Sequence, residues 1–318
     1  MSNALDMLIN GQEICHSERI FTKSQQNVQG LNNPKSDVSD NKEFVNMIHK
    51  STSSDNIVTY LGVDLYSCYN HVSISFKDID GSNLLIWGKD FEAAVSIISL
   101  INYQISKNLN DVGGSIFIAD FFPSHSKYAQ YLKKNAQACG VRYIHGLEIV
   151  ETVSHIEEML NSRMHDDSNG IGGTDEPVFL TLSYIQSSLE LRDIGFKESE
   201  LSKKIQYLLM YGPDYGIHVI LYSSYTKGTM LENVYHVCGN KIKLTGGSGI
   251  GRQCFREGLD GYNEYIPTRG SALLYSHYGP SAYIQQPFIV YNECSEKNTN
   301  TTLDSIFSIY KNKPENKC

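Results

Sequence analysis

The sequence predicts an α/β domain: a mainly parallel sheet sandwiched by helices, with a C-terminal hairpin on one edge. Short apolar runs such as Leu84-Leu85-Ile86-Trp87 and Val178-Phe179-Leu180-Thr181-Leu182 lack polar alternation, so they read as strands buried on both faces. Segments with apolar residues at helical spacing lie between them, and strand–helix alternation of this kind builds a parallel sheet. The last two strand-like runs, Ser271 to Ser276 and Ala282 to Val290, flank Gly279-Pro280 and read as the hairpin.

The elements follow in order. Ile57 to Gly62 and His71 to Phe76 are strands, the second with apolar residues at every other position. After Leu84 to Gly88, Asp90 is placed to cap a helix carrying Phe91, Val95, Ile98 and Ile105 on one face. Ser115 to Asp120 is the next buried strand, followed by a helix marked by Tyr128, Tyr131, Leu132 and Ala136. Arg142 to His145 reads as a short strand before a helix with Val153, Ile156, Leu160 and Met164. A helix with Leu201, Ile205, Leu208 and Leu209 then leads into the strand Gly216 to Leu221, and Lys241 to Leu244 precedes the hairpin. The polar stretch 1–54 reads as a flexible arm, 55–292 as the folded domain, and 293–318 as a polar tail.

Composition limits the function classes. The apolar share of 41% over 318 residues provides for a sizeable core. A net charge of −8 argues against a domain that coats DNA by bulk charge. No run reaches the roughly 18 apolar residues of a membrane span. Seven scattered cysteines form no C-x-x-C pair, so neither a zinc site nor a disulfide framework is read, and a cytoplasmic setting is expected.

Three words in the sequence carry a resemblance. They are Gly81-Ser82-Asn83-Leu84-Leu85-Ile86-Trp87-Gly88, then Gly212-Pro213-Asp214-Tyr215-Gly216-Ile217-His218-Val219-Ile220-Leu221, then Arg269-Gly270-Ser271-Ala272-Leu273-Leu274-Tyr275 with Gln286-Pro287-Phe288. In this order they resemble the FtsK/SpoIIIE/HerA motor family over about residues 55 to 292. The resemblance implies a RecA/HerA-like P-loop NTPase fold.

The same alignment exposes what is missing. A phosphate loop reads G-x-x-x-x-G-K-[ST], with amides cradling phosphates, a lysine neutralising them and a hydroxyl on Mg²⁺. Counted from Gly88, the corresponding stretch is Lys89, Asp90, Phe91, Glu92, then Ala93, Ala94 and Val95 in place of glycine, lysine and hydroxyl. Two acids, Asp90 and Glu92, stand where triphosphate would approach. They are read either as an internal stand-in for the phosphate at the helix start or as an ordinary cap and a solvated first-turn acid. The remnant of the second ATP-handling strand ends in Ser183-Tyr184 instead of two acids, and Tyr222-Ser223-Ser224-Tyr225 follows the strand where the family offers a polar sensor.

Other candidates are weaker. Asp120 at a strand end reads first as a loop cap, with pocket lining as the alternative. The Gly246 to Gly251 turn with Arg252 reads as a plain turn before an anion site. Arg252, Arg256 and Arg269 are candidate interface residues, or partners of the nearby acids Glu257, Asp260 and Glu264. The ten histidines form no metal motif, His218 reads as a core histidine, and the 21 tyrosines read as packing.

The expectation is a catalytically inactive module with no catalytic, cofactor or metal residues. It acts through a protein partner or an FtsK-like oligomer in a DNA-translocase, secretion or phage-defence machine, with DNA contact possible through that assembly; a DNA-binding subunit without ATP turnover is a weaker option. The alternative is an ATP-dependent translocase with a non-standard phosphate loop, which alone would need ATP and Mg²⁺.

Overall fold

Strand β3 (Leu84–Trp87) shows how the sequence builds the layers. All four of its side chains are buried, and they alternate between two cores: Leu84 and Ile86 face one, Leu85 and Trp87 the other. A strand with no polar face needs cover on both sides, and helices supply it. The computed structural model describes residues 56–65, 70–145, 148–170, 175–191, 198–225, 230–246, 267–277 and 283–290. The arm 1–54, the tail 293–318, Arg252, Arg256 and the turn beyond Gly246 lie outside the described residues.

The described strands are β1 (Asn56–Asp64), β2 (His71–Lys77), β3, β4 (Ser115–Asp120), β5 (Arg142–Ile144), β6 (Val178–Ser183), β7 (Ile217–Ser223), β8 (Asn240–Leu244), β9 (Ser271–His277) and β10 (Tyr283–Val290). They form one ten-stranded sheet in the order β2-β1-β10-β9-β8-β3-β7-β6-β4-β5. From β8 to β5 all pairings are parallel, and from β8 through β9, β10 and β1 to β2 they are antiparallel. The β9–β10 hairpin borders the parallel block, but it is not the sheet edge that the sequence predicts. It does not end the sheet, because β1 pairs with its outer strand, with Gly62 opposite Val290.

The helices are α1 (Phe91–Val112), α2 (Lys127–Ala138), α3 (Glu148–Ser168), α4 (Glu200–Tyr211) and the single turn α5 (Leu231–Val234). Residues of α1 and α2 belong to one core, and those of α3, α4 and α5 to the other. The result is a three-layer sandwich. Helix α1 lies under so much of the sheet that it buries polar residues, and each of those named here is matched. Gln104 exchanges two bonds with the Tyr60 backbone on β1, at 2.8 and 3.0 Å. Asn102 accepts from the Thr181 hydroxyl on β6 at 3.1 Å and donates to the Ile98 carbonyl. These pairs fix the register of α1 on the sheet, since an unmatched buried amide costs about 1–3 kcal/mol.

The amino end of β3 is clamped in the same way. Asn83 is fully buried, donates to the Leu209 carbonyl of α4 at 2.8 Å and accepts from the Val219 amide of β7 at 2.8 Å. His218 is a hydrogen-bonded core histidine, with Nδ1 2.9 Å from the Ser82 carbonyl. Arg163 of α3 ties the Tyr215 and Glu176 carbonyls together at 2.6 and 2.8 Å. Asn83→Ala strands a buried amide and a buried carbonyl at once, so a loss of about 2–4 kcal/mol is expected in urea denaturation. A loss below half a kcal/mol would show that the clamp is not needed.

Candidate functional site at the carboxyl ends of the strands

In an open parallel sheet, ligand chemistry gathers where strands end and helices begin. Here the ends of β3, β4, β6 and β7 lie side by side, and each contributes to one cluster.

The turn after β3 is short. Gly88, Lys89 and the cap Asp90 are the only residues between the strand and the first helical residue, Phe91. Gly88 has φ of 138°, and a Cβ there would meet the Leu244 Cβ at 2.7 Å and its carbonyl oxygen at 2.8 Å. Only glycine lets the turn pass this close to β8. The turn's amides are spent on neighbouring strand ends: Gly88 donates to the Ser223 carbonyl at 3.1 Å and Lys89 to the Thr245 carbonyl at 2.7 Å.

The start of α1 is occupied from within the chain. Asp90 Oδ1 accepts from the Ala93 amide at 3.1 Å, and Oδ2 accepts from the Gly270 amide at 2.7 Å. The carboxylate thus caps the helix and ties it to the turn before β9. Ala93, Ala94 and Val95 lie in the first turns of α1 with their side chains buried in the core. Lys89 is exposed, its stem lying over Gly246.

Glu92 does not project freely into solvent. It bonds Lys127 at 2.8 Å and Arg269 at 2.7 Å. Arg269 thus pairs with an acid far from it in sequence, while the nearby acids Glu257, Asp260 and Glu264 lie outside the described residues. The reason is topological: β9 lies beside β8, and β8 beside β3, so the turn before β9 meets the helix after β3.

Five aromatic rings fill the space above these strand ends. Phe122 stacks on Tyr184 with centroids 4.2 Å apart and planes within 6°. Phe91 packs edge-on against Phe122 at 6.1 Å and Tyr184 at 5.6 Å, and Tyr128 closes one side at 5.6 Å from Phe91. Tyr222 lies beneath, 6.2 Å from Phe122, with its hydroxyl donating to the Gly88 carbonyl at 3.2 Å. Burial drives the Tyr222 phenol well above its usual range, so it stays protonated. Each such ring pair adds about 0.5–1.5 kcal/mol beyond area burial. Tyr184 has φ of 62°, the only non-glycine positive φ among the described residues. That conformation costs on the order of 1–2 kcal/mol and persists because the stacking holds it. Ser183, beside it, is fully buried, and its hydroxyl has no partner among the described residues.

Sequence reasoning missed this cluster. The tyrosines read as scattered packing, yet Tyr128, Tyr184 and Tyr222 converge. The signal available was an aromatic residue directly after, or at the end of, several predicted strands. A cavity of about 250 Å³ remains between Lys89, Thr245, Arg269 and Tyr128. It is smaller than the roughly 300–1,000 Å³ of ordinary ligand pockets. Among the described residues no group of three His, Cys, Asp or Glu could hold a metal ion, and no helix is long and apolar enough to cross a membrane.

Comparison with solved structures classifies the arrangement. The pCW3 conjugation coupling protein TcpA, in its monomer form with ATPγS, matches with a TM-score of 0.55 at 9% identity, over 85% of this chain and 73% of that one. EssC (ATPases 2 and 3) from Geobacillus thermodenitrificans matches with a TM-score of 0.56 at 12% identity, over 83% of this chain and 51% of that one. This chain has the FtsK/SpoIIIE/HerA-type P-loop fold. The cytoplasmic domain of the Thermomonospora curvata type VII secretion ATPase EccC also shares this FtsK-like fold, with a TM-score of 0.53 at 13% identity, over 74% of this chain and 26% of that one. The chain thus spans about half of the matched EssC and a quarter of the matched EccC. No protein-family model matches this chain, and no curated protein sequence matches it.

The Glu92 network has a pH signature. Partial burial raises its carboxyl, but hydrogen bonds and charges from Lys127 and Arg269 outweigh this and hold it below the ordinary value of 4.5. A depressed carboxylate stabilises the fold above the unfolded-state value and loses that contribution as pH falls through the folded value. Because both cations are largely exposed, the gain is about 0.5–1 kcal/mol. Glu92→Gln is expected to lose that amount near neutral pH by urea denaturation, and to match wild type at about pH 3. An equal deficit at both pH values would point to packing instead.

Proposed function

We propose that this chain is a motor-derived module that no longer binds or hydrolyses ATP and that works through protein contacts. One observation supports the reading: the Asp90 carboxylate sits at the start of α1, where a P-loop fold would receive a phosphate. A working loop has four residues between its glycines, followed by lysine and a hydroxyl. Here Lys89 and Asp90 alone separate Gly88 from the helix, and the Asp90 carboxylate takes the Ala93 amide at the helix start, with the Gly270 amide on its other oxygen. Where an acid would hold Mg²⁺ and another would activate water, Ser183 and the stacked Tyr184 stand.

The similar solved structures supply the setting. They are named as a conjugation coupling protein, a type VII secretion ATPase and the ATPases 2 and 3 of EssC. The reading is therefore a structural or regulatory part of a cytoplasmic translocase, secretion or phage-defence machine. Its partner is a protein or an FtsK-like oligomer, and DNA is reached through the assembly. Arg269, with Arg252 and Arg256, remains a candidate for that contact, although the Glu92 pairing leaves Arg269 with less charge to offer.

Thermal unfolding with and without Mg·ATP tests this. A nucleotide at 100 times its dissociation constant stabilises by about 2.7 kcal/mol, a shift of roughly 5–10 °C for a domain of this size. No shift is expected with ATP, ADP or a non-hydrolysable analogue at millimolar concentration. A saturable shift abolished by Lys89→Ala would sink the proposal.

A further inference from the structure

A second polar site lies beside the aromatic cluster. A groove of about 490 Å³ separates α2 from β5 and falls in the range of ligand pockets. Gln130, Lys133 and Gln137 recur at helical spacing along one wall, and Tyr143 and His145 alternate along the other. Ser124 stands at one end and Glu148 at the mouth.

Beneath the groove sits a carboxyl with no cation bonded to it among the described residues. Asp120 is 1% exposed; its Oδ1 accepts from the Phe122 amide at 3.1 Å and its Oδ2 from the Tyr143 hydroxyl at 2.9 Å. The residue opposite it on β6, Ser183, is neutral. His145 from beyond β5 lends only attraction through space. Burial pushes the Asp120 carboxyl up to about 6, against the opposing pull of Phe122, Tyr143 and His145. For an acid raised in this way, the ionised form burdens the fold above that pH, whereas the protonated form does not. A perturbed carboxyl at the carboxyl edge of an α/β sheet, unused by the proposed function, is a candidate for ligand-linked chemistry.

We propose that the groove between α2 and β5 binds a small oxyanion, a carboxylate or a sulfate-like tetrahedral group, with uptake of one proton from solvent onto Asp120. When Asp120 is ionised, Tyr143 spends its proton inward, and Asp120 and Glu148 together oppose Lys133. A proton on Oδ2 reverses one hydrogen bond: the acid O–H donates to the Tyr143 oxygen, and the Tyr143 O–H turns outward into the groove. Oδ1 still accepts from Phe122, so the aromatic cluster stays in place. The groove then presents Lys133, Tyr143, Ser124, Gln130 and Gln137 as donors, with Glu148 the remaining negative group among the lining residues.

The test is titration calorimetry of the full chain with sulfate and, separately, formate, which keep their charge across the range used. Runs at about pH 5 and about pH 8, each in two buffers of different ionisation enthalpy, give the protons taken up. Saturable binding is expected, about 100-fold weaker at the higher pH, with uptake approaching one proton there. Sulfate binding alone supports a tetrahedral ligand, formate binding alone a carboxylate. Asp120→Asn mimics the protonated acid, since its amide N–H₂ donates to Tyr143 and its oxygen still accepts from Phe122. It should bind at about pH 8 as tightly as wild type does at about pH 5, with no proton uptake. Lys133→Ala, on the exposed wall, should weaken binding at least tenfold at both pH values without changing the melting temperature. Absence of saturable binding at about pH 5 overturns the proposal. So does a pH dependence that persists in Asp120→Asn and vanishes in His145→Gln, because the proton would then sit on the imidazole.

Discussion

The architecture of the site rests on one carboxylate. Asp90 lies at the start of α1, where aligned peptide dipoles and free amides favour negative charge. By accepting from Ala93 and Gly270 it supplies that charge covalently and joins the parallel block to the antiparallel strands. A bound phosphate brings its own desolvation and association costs, whereas an internal carboxylate is already in place when the chain folds. The surrounding features agree with it. The short turn, the amides donated to β7 and β8, and the Glu92 pairs with Lys127 and Arg269 all close around the same point.

The aromatic rings do for the rest of the crest what Asp90 does for the helix start. A site that handles Mg²⁺ and triphosphate needs acids and water-filled room. Phe91, Phe122, Tyr184 and Tyr222 fill these strand ends with packed apolar surface, and the positive φ of Tyr184 is held by that packing. The chain combines a P-loop-type fold with an aromatic crest at the strand ends.

Much of the fold was legible because its strands are buried on both faces and its helices carry one apolar stripe each. Leu84 to Trp87, Ser115 to Asp120 and Val178 to Leu182 could hardly be anything else, and Asp90, as the cap before Phe91, marked the start of α1. What sequence could not convey depends on distance in space. The Arg269–Glu92 pair joins residues far apart in sequence and needs the strand order before it can be seen. Four of the five rings come from separate strand ends, with Tyr128 from α2, and they meet only once β3, β4, β6 and β7 lie together. Asp120 was read chiefly as a loop cap. It does cap, through Phe122, and its bond from Tyr143 became visible only when β5 was placed beside β4.

The seam between β1 and β10 carries a consequence for biogenesis. Gly62 aligns with Val290, so the earliest described strand waits for the latest one before its second edge is paired. On the ribosome, the β1–β2 hairpin emerges long before β10 can zip against it, and its open edge is exposed for the whole interval. Closing so long a loop is entropically expensive and slow. Late sheet closure makes the nascent protein a natural client for chaperones that shield strand edges, and it makes premature termination upstream of β10 a route to aggregation rather than to a shorter folded protein.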